Sequence, residues 1–169
     1  MARKPRRPLW LKLLLAVLIL APLGVGLWLW SDLKQWRPPE SEFPEQGADL
    51  SANTGDVNFS VLKGSGADFV YLPATAGEGE QAGDFSRNLA AARAAGLEVG
   101  AIHRFDPCVP ADGQSANFVT IVPRDEALLP PAIALVETGE NCLERANSGQ
   151  VRSELTILAN QIEARAGKP

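Results

Sequence analysis

Two carboxylates lie where predicted strands end, which is where β/α folds place their chemistry. Asp49 belongs to the first strand candidate of the body, and Glu137 ends an apolar run that follows a pair of prolines. Two carboxylates that converge at one edge of a sheet are suited to cleaving a glycosidic bond. One protonates the leaving oxygen while the other stabilises the developing cation or activates a nucleophile. Both residues also have a plainer interpretation, because Asp49 could cap its own turn with Ser51 and Glu137 could be the first polar residue after a strand.

Three further reactive side chains follow the third and fourth predicted strands. His103 ends the third strand and is either a structural residue or a hydrogen-bonding partner for a sugar. Cys108 and Cys142 lie at the same end of the sheet, so in a body outside the cytoplasm we expect a disulfide that clamps the loops around the site. The alternative is two free thiols. The spacing of these residues does not match a zinc site, and the Gly-rich residues 74–79 lack the lysine of a phosphate loop, so we predict no metal and no cofactor.

Charge is distributed unevenly along the 169 residues. Five of the 16 basic residues precede residue 13, and all 20 acidic residues follow it. The remainder keeps 11 basic residues and therefore carries a net charge of −9. An acidic body does not suit a polyanionic partner, so we predict that the protein does not bind nucleic acid.

The N-terminal segment is predicted to be a membrane anchor. Residues 13–30 carry no charge over 18 positions, close to the roughly 20 residues that span a bilayer core, and tryptophans lie near both ends. We therefore predict a cytoplasmic basic tail over residues 1–8, a transmembrane signal anchor over 9–30 and a proline-rich stalk over 31–46, which leaves the body outside the cytoplasm. A cleaved signal peptide is the alternative, but no Ala-x-Ala site follows the apolar core.

Residues 47–169 alternate predicted strands with predicted helices. The strands are 47–51, 68–73, 97–103 and 132–137, and the helices are 57–63, 84–95, 114–122 and 150–167. Such alternation with apolar strands indicates a parallel sheet. Four β/α units make half of an eight-stranded barrel, which needs about 250 residues. We therefore predict an α/β fold preceded by one transmembrane helix. The body is either a partial TIM-like barrel, about half of one, or an open four-stranded sheet, and the exposed core edge of a half barrel favours self-association.

Several motifs occur in order along residues 47–169. They are Gly47-Ala-Asp49-Leu-Ser51, the stretch Gly66–Gly77 that contains Phe69, Tyr71 and Thr75, the stretch Asn88–Phe105 that contains His103, the run Gln114-Ser-Ala-Asn117-Phe118, and the Pro-Pro strand that ends in Glu137. Together these motifs resemble glycoside hydrolase family 25, the lysozymes that cut peptidoglycan as N-acetylmuramidases.

The resemblance implies an irregular β/α barrel with an acidic groove at the carboxyl ends of the strands. It implies catalytic roles for Asp49 and Glu137, with Glu137 as the general acid, and substrate-binding roles for Tyr71, Thr75 and His103. The implied substrate is the glycan strand of peptidoglycan, cut at the β-1,4 bond between N-acetylmuramic acid and N-acetylglucosamine during cell-wall catabolism. Together with the anchor, it indicates a single-pass protein of the bacterial inner membrane whose body lies in the periplasm or extracytoplasmic space.

Three positions depart from the family's pattern. Leu135 stands where the family has the aspartate of Asp-x-Glu, Ala76 replaces a glutamate and Ile102 replaces a tyrosine. The chain also ends where the family continues into its second barrel half, so we predict a truncated domain. Loss of one member of a catalytic carboxylate set commonly costs orders of magnitude in rate, so we predict that hydrolysis is weak or lost. The alternatives are a non-catalytic pseudoenzyme that binds peptidoglycan or a protein, and an unrelated scaffold, which Asp49 and Glu137 on opposite faces of the sheet would favour.

Overall fold

The chain divides into two units, Met1–Phe43 and Pro44–Pro169. A computed structural model describes residues 9–35, 38–39, 41–50, 55–142 and 147–168. The described part of the first unit contains one helix, α1 (Leu9–Gln35), with Pro22 inside it. After it comes a turn in which the backbone N–H groups of Glu42 and Phe43 both donate to the carbonyl of Pro39.

The predicted transmembrane helix over residues 9–30 is not confirmed. Helix α1 includes those residues and continues past the predicted end to Gln35. In the described part of the chain, however, no helix combines the length and the apolar character needed to cross a membrane. The predicted basic tail, residues 1–8, lies outside the described residues, as do three positions of the predicted stalk.

The second unit alternates strands and helices as predicted, except that a short strand, β3, directly follows β2. Its elements are β1 (Gly47–Asp49), α2 (Phe59–Gly64), β2 (Phe69–Ala76), β3 (Glu80–Gln81), α3 (Phe85–Ala94), β4 (Glu98–Arg104), α4 (Ala111–Ile121), β5 (Ala132–Ala134), a 3-10 turn (Gly139–Asn141) and α5 (Ser148–Ala166). The strand order is β1-β2-β4-β5, and every neighbouring pair in that order is parallel. This is half of a β/α barrel, which confirms the predicted body.

The core lies between one face of the sheet and the helices. Along β2, Val70, Leu72 and Ala74 are buried and alternate with half-buried residues, and β4 buries Val99 and Ala101 on the same face. These side chains belong to one apolar cluster with Phe85, Leu89, Ala92, Phe118, Leu158 and Ile162 of the helices. Period-two burial along β2 is the pattern of a strand with one covered face, and the helices cover that face.

Local signals set the helix ends close to the predicted positions. Asn58 caps α2 by accepting from the backbone N–H of Val61, and Asn147 forms a capping box with Gln150 at the start of α5. Gly167 ends α5 in the left-handed conformation, with φ of 68°. Asp84 occupies the cap position of α3 without a capping hydrogen bond, and its carboxylate instead accepts from the Asn88 amide.

The predicted extent of the last strand, residues 132–137, is wrong. The strand β5 stops at Ala134, and the next two side chains, Leu135 and Val136, are 60% and 66% exposed. Within the described residues β5 pairs only with β4, so it is an edge strand with no neighbour on its other side. An apolar run becomes buried only where another element covers it, and here Glu137 lies in the irregular segment after the strand.

Candidate active site

A cavity of about 330 Å³ opens at the carboxyl end of the sheet. Its walls are largely aliphatic, with Leu50 and Ile102 among them. Its polar lining consists of Asp49, Thr75, Glu80, Gln81 and Arg104. Ile102, one of the departures from the family pattern, thus presents an apolar side chain to this cavity.

A second cavity of about 310 Å³ adjoins the first. It is lined by Glu137 together with Glu78 and Asp106, and it shares Glu80 and Arg104 with the first cavity. Asp49 and Glu137 therefore lie at the same edge of the sheet, in neighbouring cavities. This placement does not fit the unrelated scaffold with the two carboxylates on opposite faces.

Arg104 stands between two carboxylates. Its Nη2 lies 2.7 Å from Oε2 of Glu80, and its Nε lies 3.8 Å from Oε1 of Glu137. Glu137 is 50% exposed and Glu80 is 75% exposed, and ion pairs this open to water contribute roughly 0–1 kcal/mol to stability. The ion pairs therefore set the position of the carboxylates more than they stabilise the fold.

The β2–β3 hairpin, residues 69–81, holds Glu80 at the site. Asn117 of α4 fixes its backbone, because the amide Nδ2 donates to the carbonyls of Ala76, Gly77 and Glu80 at 3.0–3.3 Å. The side-chain oxygen Oδ1 of Asn117 in turn accepts from Nε2 of Gln81 at 2.9 Å. Sequence reasoning missed the hairpin and the roles of Glu80 and Asn117, although Asn117 belongs to the motif that follows Gln114.

His103 is fully buried on the helix side of the sheet. Its Nδ1 lies 2.8 Å from the hydroxyl of Thr75 and its Nε2 lies 3.2 Å from Oε1 of Gln114. A one-residue irregularity in the β2–β4 register pairs Thr75 with His103, which turns the threonine toward the ring. Burial lowers the pKa of His103, and the hydrogen bond with Gln114 opposes part of that shift. This geometry favours the structural interpretation of His103.

The Gln114 side chain that contacts the ring is itself fixed by three hydrogen bonds to the backbone. Its Nε2 donates to the carbonyls of Asp106 and Val109, and its Oε1 accepts from the backbone N–H of Asp106. The same oxygen must then accept from Nε2 of His103, which leaves Nδ1 to accept from the Thr75 hydroxyl. The histidine and Gln114 thus join β4 to the start of α4.

Tyr71, the third predicted substrate-binding residue, lines neither cavity. Its hydroxyl donates to the carbonyl of Pro130 at 2.9 Å, and burial raises the pKa of the phenol. The ring lies against Gly100, where an added Cβ would come within 2.2 Å of it. Gly100 therefore makes room for Tyr71, which connects β2 to the segment that precedes β5.

The predicted disulfide between Cys108 and Cys142 is confirmed. It joins the loop after β4 to the segment after the 3-10 turn, with the two Cα atoms 5.2 Å apart. The bridge therefore closes the irregular segment that carries Glu137 against the rest of the site. Among the described residues no three His, Cys, Asp or Glu side chains are grouped so that they could hold a metal ion.

The sequence model of the glycosyl hydrolases family 25 matches residues 48–169, which include the half barrel from the second residue of β1 onward and its site. The chain belongs to glycosyl hydrolase family 25. Solved structures of family 25 proteins agree with this assignment. A family 25 glycosyl hydrolase from Bacillus anthracis shares 25% identity at a TM-score of 0.66, and the match covers 73% of this chain and 57% of that one.

Two further solved structures are similar to the same extent. A bacterial lysozyme from Streptomyces coelicolor shares 27% identity at a TM-score of 0.64, covering 73% of this chain and 59% of that one. A muramidase from Trichobolus zukalii shares 25% identity at a TM-score of 0.61, covering 72% of this chain and 60% of that one. This chain thus spans 57–60% of the length of these three structures. No curated protein matches the sequence.

Proposed function

We propose that the family 25 body binds the glycan strand of peptidoglycan and that its own cleavage of the β-1,4 bond after N-acetylmuramic acid is weak or lost. The observation that carries this proposal is the surroundings of Glu137. The candidate acid is half-exposed, lies beside the Arg104 guanidinium and has Leu135 in place of the partner aspartate. Relatives described as a lysozyme and a muramidase supply the substrate class.

Binding is supported by the site itself. Asp49, Glu80 and Glu137 line adjoining cavities at the carboxyl end of the sheet, together with the Arg104 guanidinium. Carboxylates accept hydrogen bonds from sugar hydroxyls and amide N–H groups, and a guanidinium donates to sugar oxygens. The aliphatic wall formed by Leu50 and Ile102 offers an apolar surface beside these groups.

Weak catalysis is supported by what surrounds the acid. A general acid of a glycosidase is commonly enclosed by apolar groups that keep its carboxyl protonated, while a second carboxylate supports the developing cation. Glu137 is open to water on one side. Position 135 offers an exposed leucine instead of a carboxylate. The alternative is a pseudoenzyme that only binds peptidoglycan or a protein, and Arg104 between the carboxylates favours it.

The test uses the full-length chain and purified bacterial peptidoglycan, with two readouts on each sample. Co-sedimentation measures binding, and release of reducing ends measures hydrolysis. We expect the wild-type protein to be retained and to release reducing ends slowly. Glu137→Gln should abolish that release. Glu98 is an exposed glutamate at the other end of β4, and Glu98→Gln should leave the release unchanged. Retention without any release would favour the pseudoenzyme, and no retention would refute the proposal.

We also propose that the body lies outside the cytoplasm, on the outer side of the bacterial inner membrane. The Cys108–Cys142 bridge supports this location, because disulfides persist in oxidising compartments. Single-pass anchoring by residues 9–30 stays a prediction from the sequence. Fractionation of cells, with thiol labelling before and after reduction, tests the location, and a body recovered with free thiols in the cytoplasm would contradict it.

The open edge of the half barrel supports a further proposal, self-association. In the described residues β5 has one strand neighbour, and Leu135 and Val136 beside it are exposed. Edge strands with exposed apolar side chains tend to pair with another chain. Sedimentation velocity on the full chain should show oligomers that Leu135→Lys with Val136→Lys dissociates, whereas a wild-type monomer at all concentrations would contradict self-association.

A further inference from the structure

The strand that leads to Glu137 supplies no second carboxylate, since Leu135 stands two residues before it. The hairpin supplies one from another part of the chain. Glu80 lines both cavities, and so it lies between the cavity of Asp49 and the cavity of Glu137. We propose that Glu80 is the second carboxylate of the glycan site and contacts an N-acetylated hexosamine unit beside Glu137. This inference rests on the proposed function.

Arg104 keeps the carboxylates of Glu80 and Glu137 near each other. Both carboxylates contact the single planar guanidinium of Arg104, at 2.7 Å and 3.8 Å. The two contacts together limit the separation of these two carboxylate oxygens to at most about 9 Å, so the pair can adopt the spacing of roughly 5–9.5 Å at which paired carboxylates act on a sugar. Arg104 is therefore a positioning residue that keeps both carboxylates turned toward the same space.

The backbone of Glu80 is fixed, while its carboxylate, which is paired with Arg104, keeps most of its surface open to a ligand. The Glu80 carbonyl accepts from Asn117, residue Glu80 pairs with Ala76 across the hairpin, and the N–H of Ala82 donates to the carbonyl of Ala74. The carboxylate itself is 75% exposed. A group on a rigid element with an accessible tip is what a binding site requires.

A purely structural role for Glu80 would predict a lower melting temperature when its carboxylate is lost. Its contact with Arg104 is an exposed ion pair, which contributes little to stability. Loss of the carboxylate should therefore leave the melting temperature unchanged. A hydrogen bond to a charged group that is made only with bound glycan should, in contrast, change the affinity by roughly tenfold or more.

The experiment compares full-length wild type, Glu80→Gln and Glu98→Gln by quantitative co-sedimentation with purified peptidoglycan, with thermal unfolding measured on the same samples. We expect Glu80→Gln to weaken binding at least about tenfold at an unchanged melting temperature, and Glu98→Gln to behave as wild type.

Three results would overturn the inference. Wild-type affinity in Glu80→Gln would refute this inference but not the proposed function. Weaker binding together with a lower melting temperature would assign Glu80 a structural role instead. No retention of the wild-type protein would refute the proposed function and this inference with it.

Discussion

His103 is the only histidine in the chain, so one proton can be followed in isolation as the pH falls from 7.5 to 5. The folded protein holds the ring neutral between Thr75 and Gln114, out of contact with water. Protonation would place a charge in this buried position and change the hydrogen bond at Nδ1. Burial accordingly lowers the pKa of His103 below its ordinary value.

The sign and size of the effect follow from linkage. As the pH falls below about 6.5, the unfolded chain takes up a proton at this histidine before the folded chain does, because the pKa of His103 is lower in the folded protein. The free energy of unfolding therefore falls as the pH falls, and its contribution from His103 is complete only above pH 6.5. One proton gives a slope of at most about 1.4 kcal/mol per pH unit between the unfolded and folded pKa values.

Urea unfolding of the full chain, followed by circular dichroism at pH 7.5, 6.5 and 5.5, measures this slope. His103→Gln removes the titrating group and should lose most of the pH dependence in that window, although the variant itself is less stable. NMR titration of the labelled histidine gives an independent midpoint. A midpoint at or above 6.5, or the same slope in wild type and variant, would refute the reasoning.

Three other predictions concern the bridge, the hairpin and position 135. Replacing Cys108 and Cys142 together by serine opens a loop with a sequence separation of 34. The free energy of unfolding, measured in urea, should therefore fall by about 3–4 kcal/mol. An unchanged unfolding midpoint would contradict this prediction. Asn117→Ala leaves three hairpin carbonyls without their donor, which should cost about 2–3 kcal/mol and weaken peptidoglycan retention. Asn88→Ala, which removes one exposed hydrogen bond, is the control and should cost less than about 1 kcal/mol. Leu135→Asp places a carboxylate two residues before Glu137 and should raise the release of reducing ends at least about tenfold. Val136→Asp, at the neighbouring exposed position, is the control. The same increase in this control would show that added charge alone accounts for the faster release.

The order of the parallel strands could be predicted because each strand has its own local apolar run and its own turn. Val70 and Leu72 lie in such a run, and the parallel half barrel has the predicted order. The end of the last strand could not be predicted in this way. Whether Leu135 and Val136 are buried depends on a neighbouring element and not on their own hydrophobicity.

Similar reasons decide which side chains of the candidate site could be placed from the sequence. His103 could have been assigned to the helix side from alternation alone, because it follows Val99 and Ala101 at a spacing of two. Glu80 could not have been found, because the glycines around it indicate a loop and the hairpin is held by Asn117, 37 residues further along the chain. Interactions between residues this distant in sequence are set by the fold as a whole.

The proposed function is tested most directly by the ratio of bound protein to released reducing ends when the full-length chain is incubated with purified peptidoglycan. We expect the protein to be retained on the insoluble glycan and the release to be slow or absent. Release at a rate that clears the substrate, with a Glu137→Gln variant as active as wild type, would contradict the roles assigned here to Glu137 and Leu135. Failure of the protein to be retained would contradict the proposal that this half barrel binds the glycan strand.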